Sequence, residues 1–137
     1  MSSKEGKNAP NKSLRFLIVD DHGGSRSLVK AVLSQEGYAN VRSCENGLEA
    51  LSVLQNGDID IVVCDWNMPT MTGIELLRRM RKDDSTSSIP FVMLTAQQEQ
   101  SEVVTALAHG ATDYIVKPFT PDTLISKVER IIRKYYS

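Results

Sequence analysis

Four short runs of nearly unbroken apolar residues, Phe16–Val19, Ile61–Cys64, Phe91–Leu94 and Tyr114–Val116, limit what this chain can fold into. A strand wetted on one side alternates apolar and polar residues, whereas a continuous run fits a strand covered on both faces. A weaker fifth run lies at Val41-Arg42-Ser43-Cys44. Between the runs the apolar spacing changes to a helical period. The stripes are Leu28, Val29, Val32 and Leu33; Leu48, Leu51 and Leu54; Ile74, Leu77 and Met80; Val103, Val104, Leu107, Ala108 and Ala111. The strongest closes the chain at Leu124, Ile125, Val128, Ile131, Ile132 and Tyr135. Each puts apolar side chains on one helix face. Gly37, Gly57 and Gly110 follow helical stretches, where glycine takes the left-handed closing conformation, and Pro121 suits a helix start. Five strands alternating with five helices predict an α/β fold, a five-stranded parallel sheet with helices on both faces and right-handed crossovers.

The chain has 137 residues, one domain's worth, and the first thirteen, Met1 to Ser13, read as a flexible polar tail ahead of a domain over 14–137. With 41% hydrophobic residues and a formal net charge of −1, a disordered chain is excluded. No apolar run exceeds four residues, where a membrane span needs about 20, and the polar start lacks a signal peptide's apolar stretch. The expectation is a cytoplasmic domain with no membrane partner. The charge balance gives no support to nucleic-acid binding, and the basic clusters at Arg78-Arg79 with Arg81-Lys82, and at Arg130 with Arg133-Lys134, sit late in predicted helices, where cations complement the dipole. Lys127, Arg130 and Lys134 read as a solvated face. Cys44 and Cys64 are too few for a disulfide framework and fit no zinc spacing, so they read as small core residues.

In open parallel sheets, ligands bind beyond the carboxyl ends of the strands. Strand 1 ends in Asp20-Asp21, strand 3 in Asp65, strand 4 in Thr95 and strand 5 in Lys117-Pro118. Singly these are ordinary: an acidic pair can cap a helix, and a lysine faces solvent in most proteins. Together they bring three carboxylates, a hydroxyl and an ammonium to one sheet edge. Carboxylates held that close raise one another's pKa unless a cation sits among them. An oxygen-only set favours Mg²⁺, and Lys117 suits a phosphate oxygen. This is the chemistry of phosphoryl transfer, with Asp65 as the nucleophile.

Asp20-Asp21, Asp65-Trp66-Asn67-Met68-Pro69 with Gly73, Thr95-Ala96, and Tyr114-Ile115-Val116-Lys117-Pro118-Phe119-Thr120 resemble the receiver domain of two-component response regulators. The resemblance runs from about Leu14 to Tyr135 and is greatest to the single-domain chemotaxis regulators. It implies a flavodoxin-like (βα)5 receiver fold. It further implies that Asp65 accepts a phosphoryl group from a histidine kinase. Asp21, Asp65 and the Asn67 carbonyl would hold Mg²⁺, with Asp20 acting mainly through water. Lys117 would pair with the phosphoryl group, Thr95 would turn toward it, and Tyr114 would change rotamer in response. Asn67 and Gln97 would tune the phosphoryl lifetime, and Pro118 would follow a cis peptide. The implied module is a stoichiometric phosphoacceptor rather than an enzyme. It would be a monomer that signals through the face of the fourth helix, fifth strand and fifth helix. Its partners would be the kinase, a flagellar motor switch component and a phosphatase.

One departure stands out. His22-Gly23-Gly24 follows the acidic pair, and paired glycines should loosen that loop. His22 reads as an exposed loop residue, since Mg²⁺ prefers oxygen. Alternatives are a receiver from a non-chemotaxis pathway, stand-alone or excised from a longer regulator, and a degenerate receiver that binds constitutively, against which the intact Asp65, Thr95 and Lys117 set argues. A haloacid-dehalogenase-like phosphatase needs a second aspartate two positions after the nucleophile, where Asn67 cannot transfer protons. A flavodoxin-like FMN carrier would meet repulsion from the acidic strand ends.

Overall fold

The computed structural model describes residues 11–96 and 100–136. The elements alternate as β1 (Arg15–Val19), α1 (Gly23–Gln35), β2 (Asn40–Cys44), α2 (Gly47–Gln55), β3 (Ile61–Asp65), α3 (Gly73–Lys82), β4 (Phe91–Thr95), α4 (Gln100–Ala108), β5 (Asp113–Val116) and α5 (Pro121–Tyr136). All strand pairs are parallel, in the order β2-β1-β3-β4-β5. The doubly covered (βα)5 sheet expected from the sequence is the fold of the chain.

Three of the four continuous apolar runs, β1, β3 and β4, occupy the middle of the sheet for the expected reason, whereas the fourth, Tyr114–Val116, is the edge strand β5, where only Ile115 is buried. Alternate residues point to opposite faces, and both faces are covered. Leu17, Val19, Val62, Cys64, Phe91 and Met93 pack with α2, α3 and α4 through Leu54, Leu77, Met80 and Ala106. Phe16, Ile18, Ile61, Val63, Val92 and Leu94 face α1 and α5, against Val29, Leu33, Leu124, Val128 and Ile132. Each fully buried aliphatic side chain contributes about 1.5–3 kcal/mol. The weaker run, β2, lies at the sheet edge with only Cys44 buried. Both cysteines are free and buried.

The helix stripes need correction at six positions, one of them the exposed Ala108. Leu28, Leu48, Val104, Leu107 and Tyr135 are each about half exposed or more. In α4 the small Ala106 lies against the sheet at 1% exposure, so this helix is turned relative to the expected stripe and leaves its larger residues outward. In α5 the neighbouring Tyr136 turns inward instead of Tyr135, and its hydroxyl donates to the Asp60 carbonyl at 2.7 Å. Gly37, Gly57 and Gly110 close α1, α2 and α4 with φ of 102°, 77° and 102°, values that only glycine adopts without strain. Among the described residues no helix is long and apolar enough to cross a membrane.

Candidate functional site

Register places the acidic strand ends side by side. Val19 pairs with Cys64 across β1 and β3, so Asp20 and Asp65, each one residue further on, emerge next to each other. Both are buried, at 0% and 5% exposure. β4 and β5 bring Lys117 alongside, its N–H donating to the Thr95 carbonyl at 2.7 Å, and the Lys117-Pro118 peptide is cis. The Lys117 Nζ lies 3.3 Å from Asp20 Oδ2 and 3.3 Å from Asp65 Oδ1, one ammonium shared by two carboxylates. Two buried carboxylates with one cation are one positive charge short, and a further cation relieves that imbalance.

The two aspartates respond to this setting in opposite directions. Burial pushes the Asp20 carboxyl up, but hydrogen bonds from Ser25 and the His22 N–H, with Lys117, outweigh it and hold the group below its ordinary value. Burial also pushes Asp65 up, and the Asp20 charge adds to it. Lys117 and the Trp66 N–H, which donates to Oδ1 at 3.0 Å, only partly compensate, so Asp65 lies above the usual carboxylate range. Asp65 is therefore the carboxylate with the greater need for a positive neighbour.

Asp21 and His22 complete the cluster. Asp21 Oδ1 is buried and has no hydrogen-bond partner among the described residues. His22 Nδ1 lies 3.1 Å from it, 3.5 Å from Asp20 Oδ1 and 4.0 Å from Asp65 Oδ2. One donor atom from each of these four residues falls within 4.8 Å of all the others. An orphaned buried carboxylate oxygen among acidic neighbours fits a divalent cation, and the oxygen-rich donors suit Mg²⁺. His22 is 70% exposed, as expected of it, yet its ring faces the acids. Gly23 and Gly24 lie in the first turn of α1 rather than in a loop, and Arg26 ties that turn down by donating to the Asp20 carbonyl at 2.7 Å.

The other sequence-predicted residues surround this cluster. Thr95 is 1% exposed, and its hydroxyl donates to Glu102 Oε1 on α4 at 2.7 Å. Tyr114 is half-buried in β5, with the Lys127 Nζ 4.1 Å from its ring centre. Asn67 is exposed just past β3, and Gln97 lies outside the described residues.

Two contacts near the site differ from what the sequence leads one to expect, those of Glu102 and Lys127. Glu102 lies seven residues beyond Thr95, on α4, and a separation of seven gives no sign that the two side chains meet. Lys127 was placed with Arg130 and Lys134 on a solvated face. It instead reaches back to Asp113 Oδ1 at 3.1 Å and to the Tyr114 carbonyl, with 22% of its side chain exposed. No spacing along the chain signals this contact, which joins α5 to β5.

Residues 16–129 match the family described as response regulator receiver domain. Chemotaxis protein CheY-3 of Vibrio cholerae is 42% identical over 124 residues, spanning 90% of this chain and 95% of that protein. Chemotaxis protein CheY1 of Helicobacter pylori is 41% identical over 120 residues, 87% of this chain and 97% of its own. Among solved structures, the chemotaxis response regulator CheY4 of Vibrio cholerae superposes with a TM-score of 0.81 at 34% identity, covering 87% of this chain and 98% of that one.

Proposed function

We propose, on the premise that this chain belongs to the family of response regulator receiver domains, that it is a phosphorylation-driven switch whose acceptor is Asp65. Receiver domains act as phosphoacceptors in phosphorelay signalling, taking the group from histidine kinases and passing the signal to downstream effectors. The observation that carries the assignment is the burial of Asp65 at a strand end, with Lys117 shared between it and Asp20.

The residues divide the work as follows. Asp65 presents a carboxylate oxygen to the donor phosphorus and forms the new P–O bond, while the donor's leaving group departs from that phosphorus. Asp21, Asp65 and the Asn67 carbonyl would hold Mg²⁺, with Asp20 acting mainly through water. The chemistry a divalent cation would supply there is neutralisation of negative charge on the phosphoryl oxygens. Lys117 stabilises charge on the phosphoryl oxygens, its Nζ already 3.3 Å from Asp65 Oδ1. Thr95 exchanges its bond to Glu102 for one to a phosphoryl oxygen, and Tyr114 turns inward. The resulting change on the α4–β5–α5 face is read by a partner that prefers the inward state. Asn67 and Gln97 set the lifetime of the acyl phosphate.

We assign the module to chemotaxis, with a flagellar motor switch component as partner, on the likeness to two chemotaxis proteins at 41–42% identity. Trp66, the only tryptophan and the neighbour of Asp65, provides the test. Its fluorescence is followed as Mg²⁺ and then beryllium fluoride are added to the parent and to Asp65→Asn. The reading expects saturable responses to both additions, with the beryllium fluoride response lost in the variant. A beryllium fluoride response that survives Asp65→Asn overturns it.

A further inference from the structure

We propose that His22 is a fourth ligand in this pocket, making it a mixed nitrogen and oxygen site that takes a first-row transition-metal ion more tightly than Mg²⁺. The inference rests on the reading of the acidic cluster as a divalent-cation site, and it changes which cation that site prefers.

The separations between donor atoms support it. A cation with bonds of about 2.1 Å in octahedral geometry holds cis ligands about 3.0 Å apart and trans ligands about 4.2 Å apart. His22 Nδ1 lies 3.1 Å from Asp21 Oδ1 and 4.0 Å from Asp65 Oδ2, near one cis and one trans separation, while Asp20 Oδ1, not a direct ligand in this reading, is 3.5 Å away. A ring that merely approached three carboxylates for their charge would be expected to donate a hydrogen bond to one of them. Here Asp21 Oδ1, the nearest, is buried and accepts none, although the ring nitrogen is 3.1 Å away. A lone pair on Nδ1 and an orphaned carboxylate oxygen at that distance are both satisfied by a cation placed between them. The neutral ring protonated at Nε2 presents that lone pair.

The backbone holds the ring in place. The His22 N–H donates to Asp20 Oδ1 at 2.9 Å, which ties the residue to the cluster. His22 is the N-cap of α1, but its side chain makes no capping bond, so capping does not account for the ring's direction. Imidazole adds little for Mg²⁺, which favours oxygen, and much for Ni²⁺, Co²⁺ or Zn²⁺. One nitrogen donor therefore tilts the pocket along the Irving–Williams order while leaving the oxygen ligands that serve Mg²⁺.

The experiment titrates Mg²⁺ and Ni²⁺ into the full chain, parent and His22→Ala, with Trp66 fluorescence as the local reporter. Electron spin-echo modulation of bound Mn²⁺ gives an independent readout. The proposal expects the Ni²⁺-to-Mg²⁺ affinity ratio to fall by about tenfold or more in His22→Ala, with Mg²⁺ affinity changed by less than about threefold. It also expects a directly coordinated ¹⁴N signal in the parent that is absent from the variant. An unchanged ratio with no nitrogen coupling overturns it and leaves the phosphoacceptor reading standing. A gain in Mg²⁺ affinity without a change in ratio also overturns it, because His22 is then a charge that competes with the metal. A parent that binds neither ion overturns both readings.

Discussion

Replacing Glu102 with alanine removes the carboxylate that accepts the Thr95 hydroxyl at 2.7 Å. In the proposed mechanism this bond belongs to the resting state alone, because the hydroxyl leaves Glu102 when it turns to a phosphoryl oxygen. Its loss therefore destabilises the resting state relative to the activated one. A hydrogen bond to a charged group contributes about 1.5–3 kcal/mol, and partial exposure of Glu102 reduces this one to about 1–2 kcal/mol. Glu102 also lies in the first turn of α4, where an acid is worth about 0.3–1 kcal/mol against the helix dipole. That contribution is present in both states and cancels. The activation equilibrium should move by about 5–30-fold. Glutamine keeps a neutral acceptor, roughly half as strong, so Glu102→Gln should move it by about 2–5-fold. The assay is a beryllium fluoride titration in saturating Mg²⁺, read by Trp66 fluorescence, on the parent and both variants. Midpoints should fall in the order parent, Glu102→Gln, Glu102→Ala. Identical midpoints, or a weaker response in Glu102→Ala, would refute the role given to this bond.

Three further substitutions have defined outcomes. Gly73→Ala would drive a Cβ against the Asp65 carbonyl oxygen and to 2.9 Å from Met93 Sδ. The clash costs about 1–3 kcal/mol against a helix-propensity gain of at most about 1 kcal/mol, so thermal denaturation should show a lower Tm and acetyl phosphate should label the variant more slowly. Lys127→Met keeps the stem but removes the ammonium from the Tyr114 ring and from Asp113. It should cost about 1 kcal/mol in urea denaturation and broaden the Tyr114 ring resonances in NMR. For Asp60, burial pushes the carboxyl up, but the Arg15 side chain and backbone N–H outweigh it and hold the group below its ordinary value. A depressed folded pKa stabilises the fold above the unfolded value of about 3.9 and is lost as pH falls through the folded one, so the Tm gap between parent and Asp60→Asn should be full at neutral pH and close in acid.

The fold was legible because doubly buried strands leave a signature that survives without neighbours. Phe16–Val19 and Ile61–Cys64 have no polar residue to alternate with, and only a covered parallel sheet accommodates that. Strand ends were legible too, since each apolar run stops at the polar residue that follows it. Helix orientation was less so. Leu48 and Val104 belong to good apolar stripes, yet α2 and α4 turn Ala50 and Ala106 to the sheet, because a small residue lets the helix approach closely. The direction of a side chain at the site was hidden for a related reason. His22 was recognisable as exposed, but its ring is aimed by a turn that begins two residues earlier, at Asp20. Glu102 and Lys127 act across loops and between elements, where spacing along the chain carries no distance information.

The central claim is that Asp65 is the phosphoacceptor. Incubating the protein with Mg²⁺ and ³²P-labelled acetyl phosphate, then mapping the label by borohydride reduction and peptide mass spectrometry, tests it most directly. One acyl phosphate per chain is expected, located at Asp65, absent without a divalent cation and absent from Asp65→Asn. Equal incorporation by Asp65→Asn, or label mapped to another residue in the parent, would contradict it.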